Sequence, residues 1–135
     1  MQKRNDFIVK LLEKASIQNG MRVLDVGCAT GEVTQIVANK VGDQGEVIGV
    51  DMNQDMLHMA EENKQFENVK YIKGDIYNLP KDIGKFDAIV GRSVLMYLPG
   101  AYEALNVLKG HLKPNGIFCF QESDAINSGV GADNL

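Results

Sequence analysis

The chain has 135 residues, 44% apolar and 24% charged, with a formal net charge of −4. That size argues for one domain able to bury roughly two-thirds of its unfolded surface, and the acidic balance lacks the basic patch that nucleic acid or an anionic membrane calls for. No apolar run approaches the roughly 18–20 residues of a membrane span, and none of signal-peptide length follows the start MQKRNDF, so a cytoplasmic protein is expected. Phe7, Ile8, Leu11, Leu12 and Ala15 recur at helical spacing, and Asn19-Gly20 marks the turn that ends this first helix. RVLDV reads as strand one. A helix follows from about Glu32, with Val33, Ile36, Val37 and Val41 on one face, and GDQG breaks it. EVIGV is a fully apolar second strand that ends at Asp51. Asn53 is placed to N-cap the next helix, which carries Met56, Leu57, Met59 and Ala60. NVKYIKG is strand three, LPKDIGK a loop and FDAIVG strand four. Ala101, Leu105, Leu108 and Leu112 share a helical face, KPNG turns the chain, and IFCFQE is strand five. After Ser123 the composition shifts to Gly, Asn, Ser and Asp, which predicts a loose tail.

Strands that are nearly continuous apolar runs, alternating with helices, predict a parallel sheet buried on both faces. With right-handed crossovers this is an α/β fold: a doubly wound, Rossmann-like, mostly parallel sheet of about five strands with helices on both faces. The expected organisation is one domain over residues 1–122 and a polar tail over 123–135. Ligands in such folds sit beyond the carboxyl ends of the strands.

The loops at those ends are therefore the informative ones. In DVGCATG, Gly27 and Gly31 let the backbone turn sharply and approach a ligand, with the small Ala29 between them. The helix that follows points its free N–H groups at the same place. Asp51, after strand two, has the acceptor capacity for both hydroxyls of a ribose. Asp75, after strand three, can meet the exocyclic amine of a base. Each feature alone has an ordinary structural use as a turn or a cap. In this order, all at carboxyl ends, they point to a nucleoside-like ligand. Dinucleotide loops read G-x-G-x-x-G to seat a pyrophosphate. Here the spacing is G-x-A-x-G and Glu32 follows at once, which would repel a pyrophosphate and disfavours a nicotinamide cofactor.

These residues resemble the class I S-adenosylmethionine-dependent methyltransferases. VLDVGCATG is similar to that family's first motif, with Ala29 in place of the commoner middle glycine. VIGVDMNQDML resembles the second motif, KYIKGDIYNLP the third, FDAIVGRSVLMYL the fourth, and LKPNGIFCF the step after it. The likeness spans roughly residues 8–122 and leans towards members that methylate small molecules, including quinone precursors and arsenite. It implies S-adenosylmethionine as methyl donor, S-adenosylhomocysteine as product and a small-molecule acceptor. It further implies that Asp25 and the loop Gly27, Cys28, Ala29, Thr30 and Gly31 hold the methionine moiety. Asp51 would take the ribose hydroxyls, Met52 would pack on the adenine, Asp75 and Ile76 would hold the adenine edge and face, and Arg92 would lie near the sulfonium.

Family members usually carry seven strands, and the last two find no counterpart after IFCF. The resemblance thus implies a complete cofactor half and a substrate half that is largely absent. Strand five becomes an apolar edge open to another chain, a second copy included. An excised cofactor domain comes first among the readings, then completion by a homodimer, then a binding module without turnover. A sulfonium methyl needs alignment more than acid–base help, so no catalytic dyad is expected and none stands out. His58 reads as a surface or packing residue. Cys28 reads as a small packed loop residue, the six methionines as core filler, and Tyr97 as a neighbour of the cleft. If Arg92 serves the fold, it is expected to pair with a carboxylate such as Asp87 or Glu122. Two cysteines and two histidines support neither a disulfide framework nor a metal site.

Overall fold

A computed structural model describes residues 2–122 and 129–131. The elements in chain order are α1 (Gln2–Lys14), β1 (Arg22–Val26), α2 (Glu32–Val41), β2 (Glu46–Asp51), α3 (Gln54–Glu62), β3 (Val69–Lys73), β4 (Phe86–Arg92), α4 (Ala101–Lys109), β5 (Leu112–Gln121) and β6 (Gly129–Gly131). The sheet order is β3-β2-β1-β4-β5-β6. β1 to β5 are parallel, and β6 runs antiparallel to β5. The chain walks outward from β1 to β3 and then returns to β4 on the other side of β1. The switch point between β1 and β4 opens the crevice where such sheets bind ligands.

Alternation along each strand sorts the core into two layers. Val23, Val47, Ala88, Val90 and Cys119 face α1 and α2, whose Ile8, Leu12, Val33, Val37 and Val41 complete that side. Leu24, Val26, Ile48, Val50, Ile89, Phe118 and Phe120 face α4, which contributes Ala104, Leu105 and Leu108. With both faces covered, β1 is almost fully buried from Val23 to Val26, as a continuous apolar strand requires. The one polar residue in that stretch is Asp25.

Local signals work as the composition suggests. Asn53 caps α3, its Oδ1 accepting from the backbone N–H groups of Asp55 and Met56 at 2.9 and 3.2 Å. KPNG forms a bulge at the start of β5, where Asn115 takes φ +67°. The register there jumps from Phe86↔Leu112 to Ala88↔Ile117.

The edge of β5 departs from expectation. Gly129–Gly131 pair with Ile117–Cys119, so the edge is covered over those residues, and its backbone groups find partners within the same chain. A second copy pairing through this stretch would have to displace β6. The remainder of the predicted tail, residues 123–128 and 132–135, lies outside the described residues. No described helix is long and apolar enough to cross a membrane.

Candidate functional site

The loop from β1 to α2 is built around left-handed backbone. Gly27, Ala29 and Gly31 have φ of +66°, +50° and +87°. The glycines have a second reason to be there. A Cβ on Gly27 would stand 2.7 Å from Val94 Cγ2, and one on Gly31 would strike the Tyr71 hydroxyl. Both positions make room for the protein's own side chains. The loop is tied down from β2. The Cys28 N–H donates to the Val50 carbonyl at 3.0 Å, and the Ala29 N–H donates to Asp51 Oδ2 at 2.9 Å. Asp51 Oδ1 accepts from the Asn53 N–H at 2.8 Å. One carboxylate thus fixes the glycine loop and the entrance to α3 together. A carboxylate has about four acceptor positions, so two remain for a ligand diol.

Two of the cavities among the described residues lie at the carboxyl ends of the strands and take in the residues expected from the sequence. The larger, about 490 Å³, is walled by Gly27, Asp51, Met52, Asp75, Ile76 and Val94 among others. It falls within the usual range for a small-molecule site. The smaller, about 90 Å³, is lined by Asp25, Gly27, Cys28, Ala29, Thr30 and Arg92, together with Glu32 and Val33. Gly27 lines both, so the two lie beside the same loop, one as the wide end and the other as the narrow end of the site. Every residue expected from the sequence to hold the cofactor lines one or the other except Gly31, whose place is under the loop against Tyr71. In the wide end, Asp75 Oδ1 accepts from the Tyr77 N–H at 3.0 Å, which aims the turn after β3 into the cavity.

The narrow end is electrostatically loaded. Asp25 is 1% exposed, and burial is the main force pushing its carboxyl up to about 7. A 2.6 Å hydrogen bond from the Thr34 hydroxyl and the nearby Arg92 guanidinium oppose that rise, and the Asp51 charge adds to it. Arg92 pairs with Glu32 at the start of α2 and donates through Nη1 to Asn5 Oδ1 of α1 at 3.0 Å. The partner is a carboxylate of the fold, as expected, but it is neither Asp87 nor Glu122. Asp87 instead accepts from the Arg22 N–H and Lys113, while Glu122 accepts from the Val94 and Met96 N–H groups. Burial raises the Cys28 thiol well above its ordinary value, and this residue is 6% exposed, so it packs rather than reacts. His58 is exposed on α3.

Sequence reasoning missed Thr34, Asn5 and the Glu32 contact. All three act across turns or across the fold, and no local pattern marks them. Among the described residues no group of three His, Cys, Asp or Glu is placed to hold a metal ion.

A family model described as a methyltransferase domain matches residues 17–132. The chain belongs to the class I S-adenosylmethionine-dependent methyltransferases. Among curated relatives it is 34% identical to the demethylmenaquinone methyltransferase of Staphylococcus aureus strain MRSA252, over 84% of this chain and 48% of that protein. The figure for the same enzyme of Staphylococcus carnosus is 33%, with the same coverage. The chain spans about half the length of the curated relatives it matches. Among solved structures, a SAM-dependent methyltransferase from Aquifex aeolicus aligns with a TM-score of 0.76 at 25% identity, over 93% of this chain and 70% of that one. An arsenic(III) S-adenosylmethionine methyltransferase from Chlamydomonas reinhardtii aligns with a TM-score of 0.68 at 28% identity, over 76% and 38%.

The residues present suit the family's cofactor. The wide end offers the free acceptor positions of Asp51 and Asp75 beside the apolar Met52, Ile76 and Val94, as an adenosine requires. The narrow end offers a carboxylate and a guanidinium, as an amino acid moiety requires. Glu32 at the start of α2 suits a methyltransferase cofactor, which carries no phosphate.

Proposed function

We propose that this chain binds S-adenosylmethionine along the crevice and directs its methyl group to a small-molecule acceptor. The adenosine takes the wide end, with its ribose hydroxyls on Asp51, its base edge at Asp75 and its base faces against Ile76 and Met52. The methionine moiety takes the narrow end, beside Asp25, the loop from Gly27 to Gly31, and Arg92. The observation that carries this reading is that two cavities of complementary chemistry are both lined by Gly27 of the β1–α2 loop. When bound, the cofactor supplies an electrophilic methyl on a sulfonium. What the chain contributes is placement. Asp51 holds loop and ligand in one frame, and Arg92 keeps its charge engaged by Glu32. The buried crevice floor excludes water from one side of the transfer. The two curated staphylococcal relatives are demethylmenaquinone methyltransferases, so a hydroquinone is the first acceptor to try.

Calorimetric titration with S-adenosylmethionine and S-adenosylhomocysteine, with NADH as control, tests the pocket. Asp51→Ala should weaken binding about 10–100-fold, the range for losing hydrogen bonds to a charged group. Unchanged affinity in that variant would refute the assignment. A methylated hydroquinone detected by mass spectrometry supports transfer by this chain. Binding without product from a panel of hydroquinone, phenol and amine acceptors would reduce the reading to a cofactor-binding module.

A further inference from the structure

We propose that Tyr71 is a positioning residue for the cofactor, its hydroxyl donating to Thr34 so that the Thr34 hydroxyl stays turned onto Asp25. The inference rests on the cofactor reading above and adds a residue that lines neither of the two cofactor cavities.

Strand register brings the groups together. Asp25 of β1 pairs with Gly49 of β2, and Gly49 with Tyr71 of β3, so all three lie on the sheet face that α2 covers. Gly49 puts no side chain between the other two. A Cβ there would stand 2.8 Å from the Tyr71 ring and 3.0 Å from Cys28 Sγ, so the ring lies over Gly49, on the Asp25 side of its own strand. Its hydroxyl ends under Gly31, where a Cβ would strike it, and Gly31 stands about one helical turn before Thr34. Thr34 is fully buried and donates to Asp25 Oδ2 at 2.6 Å.

The Tyr71 hydroxyl is buried and makes no hydrogen bond as it stands, a state that protein interiors rarely tolerate. Burial pushes its phenol up to about 12, and the Thr34 hydroxyl beside it opposes that rise. Thr34 has given its single proton to Asp25, so its oxygen keeps lone pairs for the Tyr71 proton. A helical threonine can instead donate back to the carbonyl three or four residues earlier. With Tyr71 as donor on one side, the Thr34 proton points at Asp25, and the two bonds strengthen each other. The charged and titratable neighbours of Asp25 are Cys28, Asp51 of β2 and Arg92 of β4, the last held by Glu32 of α2 and Asn5 of α1. Tyr71 has Cys28 and Asp25 on its inner side. On its outer side it shares a cavity of about 170 Å³ with His58 and Glu61 of α3 and Lys73 of β3. Removing the Tyr71 hydroxyl leaves all of these in place.

The methionine ammonium calls for an ionised Asp25, so affinity for S-adenosylhomocysteine should rise with pH as that carboxyl titrates. Tyr71→Phe removes the hydroxyl and keeps the ring. Its affinity curve should move to higher pH by about one unit, the lower end for loss of a hydrogen bond to a charged group. Calorimetric titration should then read a Kd about 10-fold above the parent's at pH 6, converging with the parent's by pH 9. The titration of the ligand and of His58 is common to both proteins and cancels. Thr34→Val should move the curve the same way, and Tyr71→Phe should add nothing in that background. A Tyr71→Phe curve that overlies the parent's, equal weakening at every pH, or a further shift in the Thr34→Val background would overturn the inference while leaving the cofactor site intact. Absence of S-adenosylhomocysteine binding by the parent chain at every pH would remove the cofactor reading and this inference with it.

Discussion

Replacing Asp25 with Asn should abolish a pH dependence of stability that is built into the crevice floor. Asp25 is buried on β1 against Thr34 of α2, and its carboxyl is pushed from an ordinary 3.8 up to about 7, chiefly by loss of water. Between these values the folded protein holds a proton that the unfolded chain releases. Stability from this group is fully present below pH 3.8 and is lost as the pH rises to 7. At 1.36 kcal/mol per pKa unit the whole window is worth about 4 kcal/mol. About 2–3 kcal/mol of that falls between pH 5 and pH 8. Asparagine keeps an oxygen to accept from the Thr34 hydroxyl but never ionises. Urea unfolding of parent and variant at pH 5, 6, 7 and 8 reads the difference, since the other titrating groups are common to both. The parent should lose about 2–3 kcal/mol relative to Asp25→Asn across that range. Parallel stability curves would refute the argument and would mean that Thr34 and Arg92 keep the carboxylate ionised throughout.

Two further outcomes follow from contacts in the fold. Gly31→Ala should cost about 2–5 kcal/mol, because it combines a left-handed backbone with a clash against Tyr71. Adding Tyr71→Phe should recover part of that loss in a thermal melt, and no recovery would show that the backbone alone is responsible. Arg22→Ala should cost about 1–3 kcal/mol with unchanged cofactor affinity. Its guanidinium serves Glu46 and the carbonyls of Ile83 and Lys85 and stacks 4.3 Å over Phe86, all at the amino ends of the strands. A calorimetric titration in which this variant also loses cofactor would place the site elsewhere.

The boundaries of β1, β2 and α3 were legible from local signals. Continuous apolar runs mark doubly buried strands, and Asn53 caps its own helix through bonds two and three residues away. The order of motifs at the strand ends named the family for the same reason, since each lies in one short stretch of chain. The first helix ended earlier than Asn19-Gly20 suggested, at Lys14, because Ser16 takes a left-handed conformation with φ +61° that composition does not announce.

What tertiary structure alone decided is how those stretches serve one another. The glycines of the loop read as clearance for a ligand, but their neighbours are Val94 and Tyr71, distant in sequence. Asp51 read as a ribose acceptor, yet it also anchors Ala29. Arg92 meets Glu32 and Asn5 instead of the nearer-seeming carboxylates, because β4 ends beside the start of α2 and beneath α1. The covered edge of β5 depends on three residues returning antiparallel to it. Local pattern follows from short-range torsional preference and the burial period of each element, which a sequence carries directly. Pairing between elements depends on which strand ends share the crevice, and that is determined only when the sheet order is formed.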